Sequence, residues 1–378
     1  MLRLICRLIM SSYQDQIQEI EEEIRSTKKN KSTNSHVGKL KAKLARLKRE
    51  QQDKIMGGGG GSSEGYDVKK SGDSSVALVG LPSVGKSTLL NRLTGQEISE
   101  TGAYEFTTLE AVPGTMKYEG ANIQIIDLPG IISGASKGKG MGKQVLSVAR
   151  GADLILVTVD IFNAKKHLDL IETELFHVGI RINEKKPDVV IQKTEKGGIA
   201  VASTKKLTKI DEKTIKTVMN EYRMLNANVT IRTDIDVEQL IDVLEGNRVY
   251  IKAFIVVNKI DLLSKKKRVE LLNDIDNSIG VSAEEDENIM NLKNRIVGTL
   301  ELIKIYLKPQ GEEADMEEPL IMRKGIDIGD VCDKLHRSFR KDFRYARIWG
   351  KSAKHEGQKV SINHVLADED ILQIIKEF

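Results

Sequence analysis

The fold class the sequence predicts is α/β: a core around a buried parallel sheet, with a helical hairpin before it, an α+β insertion within it and a small β-rich module after it. Three observations predict this. Short apolar runs at residues 76–79, 123–126, 154–159 and 253–257 recur along the middle of the chain, with the length and composition of buried parallel strands. The first of them runs through a glycine-rich turn straight into a segment of helical spacing, residues 86–93. Composition then shifts twice, at a run of five glycines (residues 57–61) and again after residue 303.

The glycine-rich turn organises the rest. Gly80, Leu81, Pro82, Ser83, Val84, Gly85, Lys86 and Ser87, followed by Thr88, fit the spacing G-x-x-x-x-G-K-S in a strand–loop–helix setting. Gly80 and Gly85 let backbone N–H groups converge on phosphate oxygens, and the helix N-terminus behind them adds positive partial charge. In this setting Lys86 is placed to reach the β- and γ-phosphates and Ser87 Oγ to ligate Mg²⁺.

In chain order, residues 1–10 are apolar with two arginines, too short to span a membrane and without a small-residue cleavage site, and they read as an extension or as lying before a start at Met10. Residues 11–56 form a helical hairpin: Tyr13, Ile17, Ile20 and Ile24 share one helical face, and Val37, Leu40, Leu44 and Leu47 another. Its second arm is basic, with nine Lys/Arg and no Asp or Glu over residues 28–49. Such a face suits either phosphate-backbone or protein docking, or plain solvation. Residues 57–66 are a flexible linker.

The nucleotide core then spans 67–302. Thr108, with Thr107 as the alternative, lies in a polar loop where a hydroxyl can close over Mg²⁺ when a γ-phosphate is present. Asp127 ends an apolar strand and opens Asp-Leu-Pro-Gly, the place for a carboxylate behind the metal; the Gly130 N–H faces the γ-phosphate. Ile131 and Ile132 follow, where many such enzymes carry a glutamine that orients the attacking water. Residues 180–248 are too long for a βα connection and read as a small α+β insertion rich in lysine. Nucleic acid and solubility both account for those lysines.

Asn258-Lys-Ile-Asp261 ends another strand. The Asp261 carboxylate accepts from guanine N1–H and its 2-amino group, a donor pair adenine lacks, which argues against an ATPase. Lys259 lies along the base, Asn258 ties this loop to the phosphate loop, and Ser282-Ala283 supplies a backbone N–H for guanine O6. These tokens in this order, each at a strand end, give a GTP/GDP site. Residues 303–378, short strands with a helix at 331–339, suggest a β-grasp module.

Composition narrows the rest. With 30% charged and 40% hydrophobic residues, the chain suits a globular protein, and its net charge of only +4 names no partner. Two cysteines, Cys6 and Cys332, make neither a disulfide framework nor a zinc site, which points to a reducing compartment.

On these motifs the chain resembles the developmentally regulated GTP-binding proteins of the Obg-related GTPases over nearly its whole length. Tyr104-Glu-Phe-Thr-Thr-Leu109, Gly134-Ala-Ser-Lys-Gly-Lys-Gly140, Gly246-Asn-Arg-Val-Tyr250 and Tyr345-Ala-Arg-Ile-Trp-Gly350 carry the resemblance beyond the phosphate loop. It implies a P-loop GTPase core with an S5 domain 2-like insertion and a C-terminal TGS domain. It also implies a cytoplasmic role in translation, association with the ribosome or its RNA, and a small regulatory protein partner. Neither membrane nor DNA is among the expected partners. The family is described as potassium-stimulated, and Ser83 stands where potassium-binding GTPases usually carry asparagine. The remaining alternative is an RNA- or ribosome-binding scaffold for which GTP is mainly structural.

Overall fold

The structure, a computed structural model, describes residues 2–28, 30, 33–55, 72–95, 112–128 and 148–376. They fall into two compact units, one taking in Met1–Glu64 and Leu175–Tyr250, the other Gly65–Ala135, Gly140–Glu174 and Ile251–Phe378. Elements are numbered in chain order.

In the first unit, α1 (Leu2–Ser26) and α2 (Asn34–Ile55) form the hairpin. Ile20, Leu40 and Leu47 are buried between them, flanked by Tyr13, Ile17, Ile24 and Leu44, so the apolar stripes make the seam that their spacing predicts. The helix opens at Leu2 and takes in residues that the sequence sets apart as an extension. Four charges of the basic arm α2 are engaged: Lys48 pairs with Glu21 at 2.8 Å, Lys41 with Glu238 at 2.5 Å, Arg46 with Glu221 at 3.2 Å and Arg49 with Glu245 at 3.4 Å. Three of those acids belong to the insertion, where Ala42 of α2 joins the hydrophobic core.

The insertion follows the short strand β5 (Ile180–Ile182). Strands β6 (Val189–Lys193), β7 (Ile199–Ser203) and β8 (Ala227–Ile231) make a sheet of order β6-β8-β7, β6 antiparallel and β7 parallel to β8. Helices α5 (Glu212–Glu221) and α6 (Val237–Glu245) cover one face. Each has an aspartate N-cap, Asp211 and Asp236, which accepts a backbone N–H of the first turn. Arg181 grips Asp242 through two 2.7 Å hydrogen bonds, both side chains being buried.

The second unit holds the mostly parallel sheet, in order β10-β9-β4-β1-β3-β2. These are β1 (Ser74–Val79), β2 (Val112–Tyr118), β3 (Ala121–Asp127), β4 (Leu154–Asp160), β9 (Val249–Asn258, its first two residues in the other unit) and β10 (Ser278–Gly280). All six residues of β1 are buried, as a strand covered on both faces must be. Around the sheet lie α3 (Lys86–Thr94), α4 (Ala164–His177), α7 (Lys265–Asn273) and α8 (Ile289–Leu300).

A five-stranded sheet of order β12-β11-β15-β13-β14 completes this unit: β11 (Leu302–Leu307), β12 (Leu320–Arg323), β13 (Phe343–Trp349), β14 (Gln358–Val360) and β15 (Asp370–Lys376). The single helix expected at 331–339 is two, α9 (Ile328–Leu335) and α10 (Arg337–Lys341). His336 between them is extended, and its Nδ1 accepts the Ser338 N–H, so it caps the second helix instead of continuing the first. Ile321 of this module is buried in the core of the parallel sheet. Arg323 pairs with Asp153, and Lys304 pairs with Glu119 at 2.8 Å.

Candidate nucleotide-binding site

The parallel register aligns the carboxyl ends of the central strands. Leu78 lies opposite Asp127, Val79 opposite Val157, and Asp160 opposite Asn258. Everything the sequence marks as functional in the described residues leaves the sheet at this edge, where ligands of open α/β sheets bind.

The phosphate loop is shaped by close approaches. A Cβ on Gly80 would stand 2.4 Å from the Thr158 carbonyl oxygen, and one on Gly85, at φ 88°, 2.4 Å from Asn258 Nδ2. Ser83 also has positive φ, at 64°. Alternating hands along such a loop turn successive N–H groups toward one concavity, an anion cradle. Lys86 opens α3 and is only 8% exposed. Its ammonium donates to the Gly80 and Leu81 carbonyls, both at 3.3 Å. Burial pulls its pKa below the ordinary lysine value, and the Asp127 charge opposes that pull.

Ser87 Oγ donates to Asp127 Oδ2 at 2.8 Å. Burial raises the Asp127 pKa, against the Ser87 hydrogen bond and the Lys86 charge. Its other oxygen, Oδ1, is buried with no partner. A serine hydroxyl and a carboxylate side by side, one oxygen left over, are hard oxygen donors of the kind Mg²⁺ takes.

The base-reading loop is bolted to the phosphate loop. Asn258 is 2% exposed; its Nδ2 donates to the Val84 carbonyl and its Oδ1 accepts the Ala283 N–H, both at 3.0 Å. Lys259, at φ 66°, turns the chain sharply out of β9 and donates from Nζ to the Ser83 carbonyl at 2.7 Å. Asp261 follows in a short 3₁₀ turn, Ile260–Leu262, and its Oδ1 is buried without a partner. Among the described residues, Asp127 Oδ1 and Asp261 Oδ1 are the carboxylate oxygens buried in this way. An orphaned buried acceptor costs free energy comparable to the hydrogen bond it lacks, so both positions fit a ligand that supplies the missing donors or positive charge.

One expectation differs. The Ala283 N–H, assigned by sequence to guanine O6, is already given to Asn258 Oδ1. Ser282 does shape its loop, its Oγ accepting the Glu285 N–H at 3.1 Å. Sequence reading missed Arg92 of α3, whose guanidinium donates to the Ala283 and Glu284 carbonyls at 2.8 and 2.7 Å. No local pattern announces such a contact, because its partners lie about 190 positions away. Thr107, Thr108, Gly130, Ile131 and Ile132 lie outside the described residues.

Comparison with known proteins agrees with this geometry. Residues 75–193 match the family described as 50S ribosome-binding GTPase, 196–302 the C-terminal region that accompanies that domain, and 303–376 the TGS domain. Developmentally-regulated G-protein 3 of Arabidopsis thaliana is 47% identical over 97% of this chain and 100% of its own length. The chain belongs to the developmentally regulated GTP-binding protein family. Another similar protein is an uncharacterized GTP-binding protein of Methanocaldococcus jannaschii, 54% identical over 96% of this chain and 92% of its own. Ribosome-interacting GTPase 1 of Saccharomyces cerevisiae is 46% identical over 97% of this chain and all of its own. As a developmentally regulated GTP-binding protein, the chain binds guanine nucleotide through a P-loop GTPase domain, followed by a TGS domain.

Proposed function

We propose that this protein is a Mg²⁺-dependent switch that hydrolyses GTP to GDP and phosphate while associated with ribosomes in the cytoplasm. The observation that carries the proposal is the pair of orphaned carboxylate oxygens, Asp127 Oδ1 and Asp261 Oδ1, flanking the cradle that holds Lys86. One fits a metal-bound phosphate and the other the donor edge of guanine. The printed name of the yeast relative, Ribosome-interacting GTPase 1, supports the ribosomal part.

In this reading Asp261 accepts from guanine N1–H and the 2-amino group, while Asn258 and Lys259 hold its loop against the phosphate loop. The phosphate-loop amides and Lys86 take up charge that develops on the β–γ bridging and γ-oxygens as water adds to the γ-phosphorus. Ser87, Asp127 and Thr108 would hold Mg²⁺, which would neutralise phosphate charge when bound. By its place in the Asp127-Leu-Pro-Gly130 motif, the Gly130 N–H would contact the γ-phosphate. Ile131 stands where a water-orienting side chain is usual, so turnover is slow until a regulatory protein partner, the ribosome or potassium completes the site.

The test is GTP hydrolysis by the full chain with and without ribosomes, in potassium and in sodium. The proposal expects slow turnover alone and at least tenfold acceleration by one of these additions; fast, saturated turnover by the pure protein rejects it. Lys86→Ala separates the switch from a scaffold that uses GTP only structurally. The switch expects loss of GTP affinity and of nucleotide-dependent ribosome association, and a variant that binds ribosomes as well as the parent favours the scaffold.

A further inference from the structure

The sequence carries two basic segments, and the structure treats them differently. On α2, Lys41, Arg46, Lys48 and Arg49 are engaged by carboxylates, while Lys39 and Lys43 are exposed and have no ion-pair partner among the described residues. In the insertion, Lys185, Lys186, Lys193, Lys196, Lys205 and Lys206 are all exposed, and none has an ion-pair partner among the described residues. Residues 185–209 hold seven lysines against Asp188 and Glu195, an excess of five positive charges where the whole chain carries only +4. This segment is one of the chain's two concentrations of positive charge, the other being residues 28–49.

These lysines frame an open sheet face. Val189, Ile191, Ile199, Val201, Ala227, Val229 and Ile231 point into the insertion's core. By alternation Val190, Gln192, Ala200, Ala202, Asn228 and Thr230 point outward. The register sets Val190 and Ala202 beside Thr230, and Gln192 and Ala200 beside Asn228. Lys185, Lys186, Lys205 and Lys206 lie at the Ile231 end of the sheet; at the Ala227 end lie Lys196, in the turn after β6, and Lys193, which closes β6 with the parity of Val189 and Ile191 and is exposed at the strand's end. Strands of five residues at about 3.3 Å per residue put roughly 16 Å between the two groups.

We infer that this face docks double-stranded RNA, which deepens the ribosomal reading by naming the surface and the feature of RNA it takes. Two lysine groups at opposite ends suit the two phosphate strands of a duplex. The outward side chains between them are short, and Gln192, Asn228 and Thr230 are hydrogen-bonding groups suited to 2′-hydroxyls across a wide, shallow A-form minor groove. No aromatic ring stands on this face to stack an unpaired base, and it offers neither a helix nor a long reading side chain for the major groove of DNA.

The test uses the full chain and a blunt RNA duplex of about 20 base pairs, the same strand unpaired, and the matching DNA duplex, titrated by fluorescence anisotropy at several salt concentrations. The parent is expected to bind duplex RNA at least several-fold more tightly than either alternative. Lys205→Glu/Lys206→Glu and Lys193→Glu/Lys196→Glu are each expected to weaken it at least tenfold and to lower the slope of log K against log salt by about 1.8, two contacts at roughly 0.9 each. Lys39→Glu/Lys43→Glu on α2 makes the same charge change and is expected to cost less than threefold. All six positions are exposed, and an unchanged circular dichroism spectrum and melting temperature check that each variant is folded. Equal effects of the three variants, or unpaired RNA bound as tightly as the duplex, overturn the inference. Because the duplex is titrated without ribosomes or GTP, its failure leaves the Lys86→Ala result readable by itself.

Discussion

Replacing Asn258 by alanine tests whether the two nucleotide-facing loops are one mechanical piece. The side chain makes two buried hydrogen bonds, to the Val84 carbonyl and from the Ala283 N–H, each 3.0 Å. Alanine leaves both partners in place without a mate. A buried group orphaned in this way costs roughly 1–3 kcal/mol, so each loop loses about that much support. At about 1.4 kcal/mol per factor of ten, protection of the Ala283 amide against hydrogen exchange should fall by roughly tenfold or more. Exchange should also quicken across the phosphate loop, residues 80–87, although the substitution sits on another strand. Hydrogen exchange followed by mass spectrometry, without nucleotide, reads both segments in one experiment and does not require cooperative unfolding of a two-unit protein. GDP dissociation should accelerate by a similar factor. If residues 80–87 and Ala283 exchange as in the parent, Asn258 is not the tie between them.

Further outcomes follow from the same contacts. Asp127 must be ionised to hold a metal, and burial has raised its pKa, so it protonates at a higher pH than an ordinary carboxylate. Mg²⁺-dependent GTP affinity should therefore weaken on mild acidification, and in Asp127→Asn, already weak, it should lose that pH dependence; nucleotide titration across pH checks this. The folded protein without ligand binds this proton more tightly than the unfolded chain, so this carboxyl's contribution to stability falls as pH rises through its folded value. In the other unit, Arg181→Met leaves Asp242 as a buried charge with Arg248, at 3.1 Å, and the Tyr250 hydroxyl, at 3.4 Å, beside it. Breaking such a pair costs about 3–5 kcal/mol, seen as a lower melting temperature and as faster hydrogen exchange in α6.

What the sequence displayed and what it withheld divide along physical lines. The apolar strands, the glycine-rich turn and the polar residues at strand ends were legible because each is local: a run of residues, a spacing, a required φ. The alternation of β6 and β8 was faint, but a length too great for a loop still marked the insertion. The Arg181–Asp242 pair, Arg92 on the Ala283 loop and Arg323 on Asp153 were not legible, since each joins segments far apart in the chain. Nor were the partners of Lys41, Arg46 and Arg49 on α2 legible, being acids about 175–197 positions away. Similarly, Leu335-His-Arg337 contains neither glycine nor proline, and only the capping geometry of His336 shows that one helix ends and another begins there.

The central claim, that loops distant along the chain meet on one guanine nucleotide, is tested most directly by titrating Asp261→Asn with GTP and with xanthosine triphosphate. The carboxylate accepts two hydrogen bonds from guanine, whereas an amide accepts from N1–H and donates to the 2-oxo group of xanthine. Charge-assisted hydrogen bonds contribute about 1.5–3 kcal/mol each, so GTP affinity should fall by roughly 100-fold or more, and the xanthine nucleotide should become the tighter ligand. GTP affinity equal to the parent's would place the base somewhere other than Asp261 and would contradict the account.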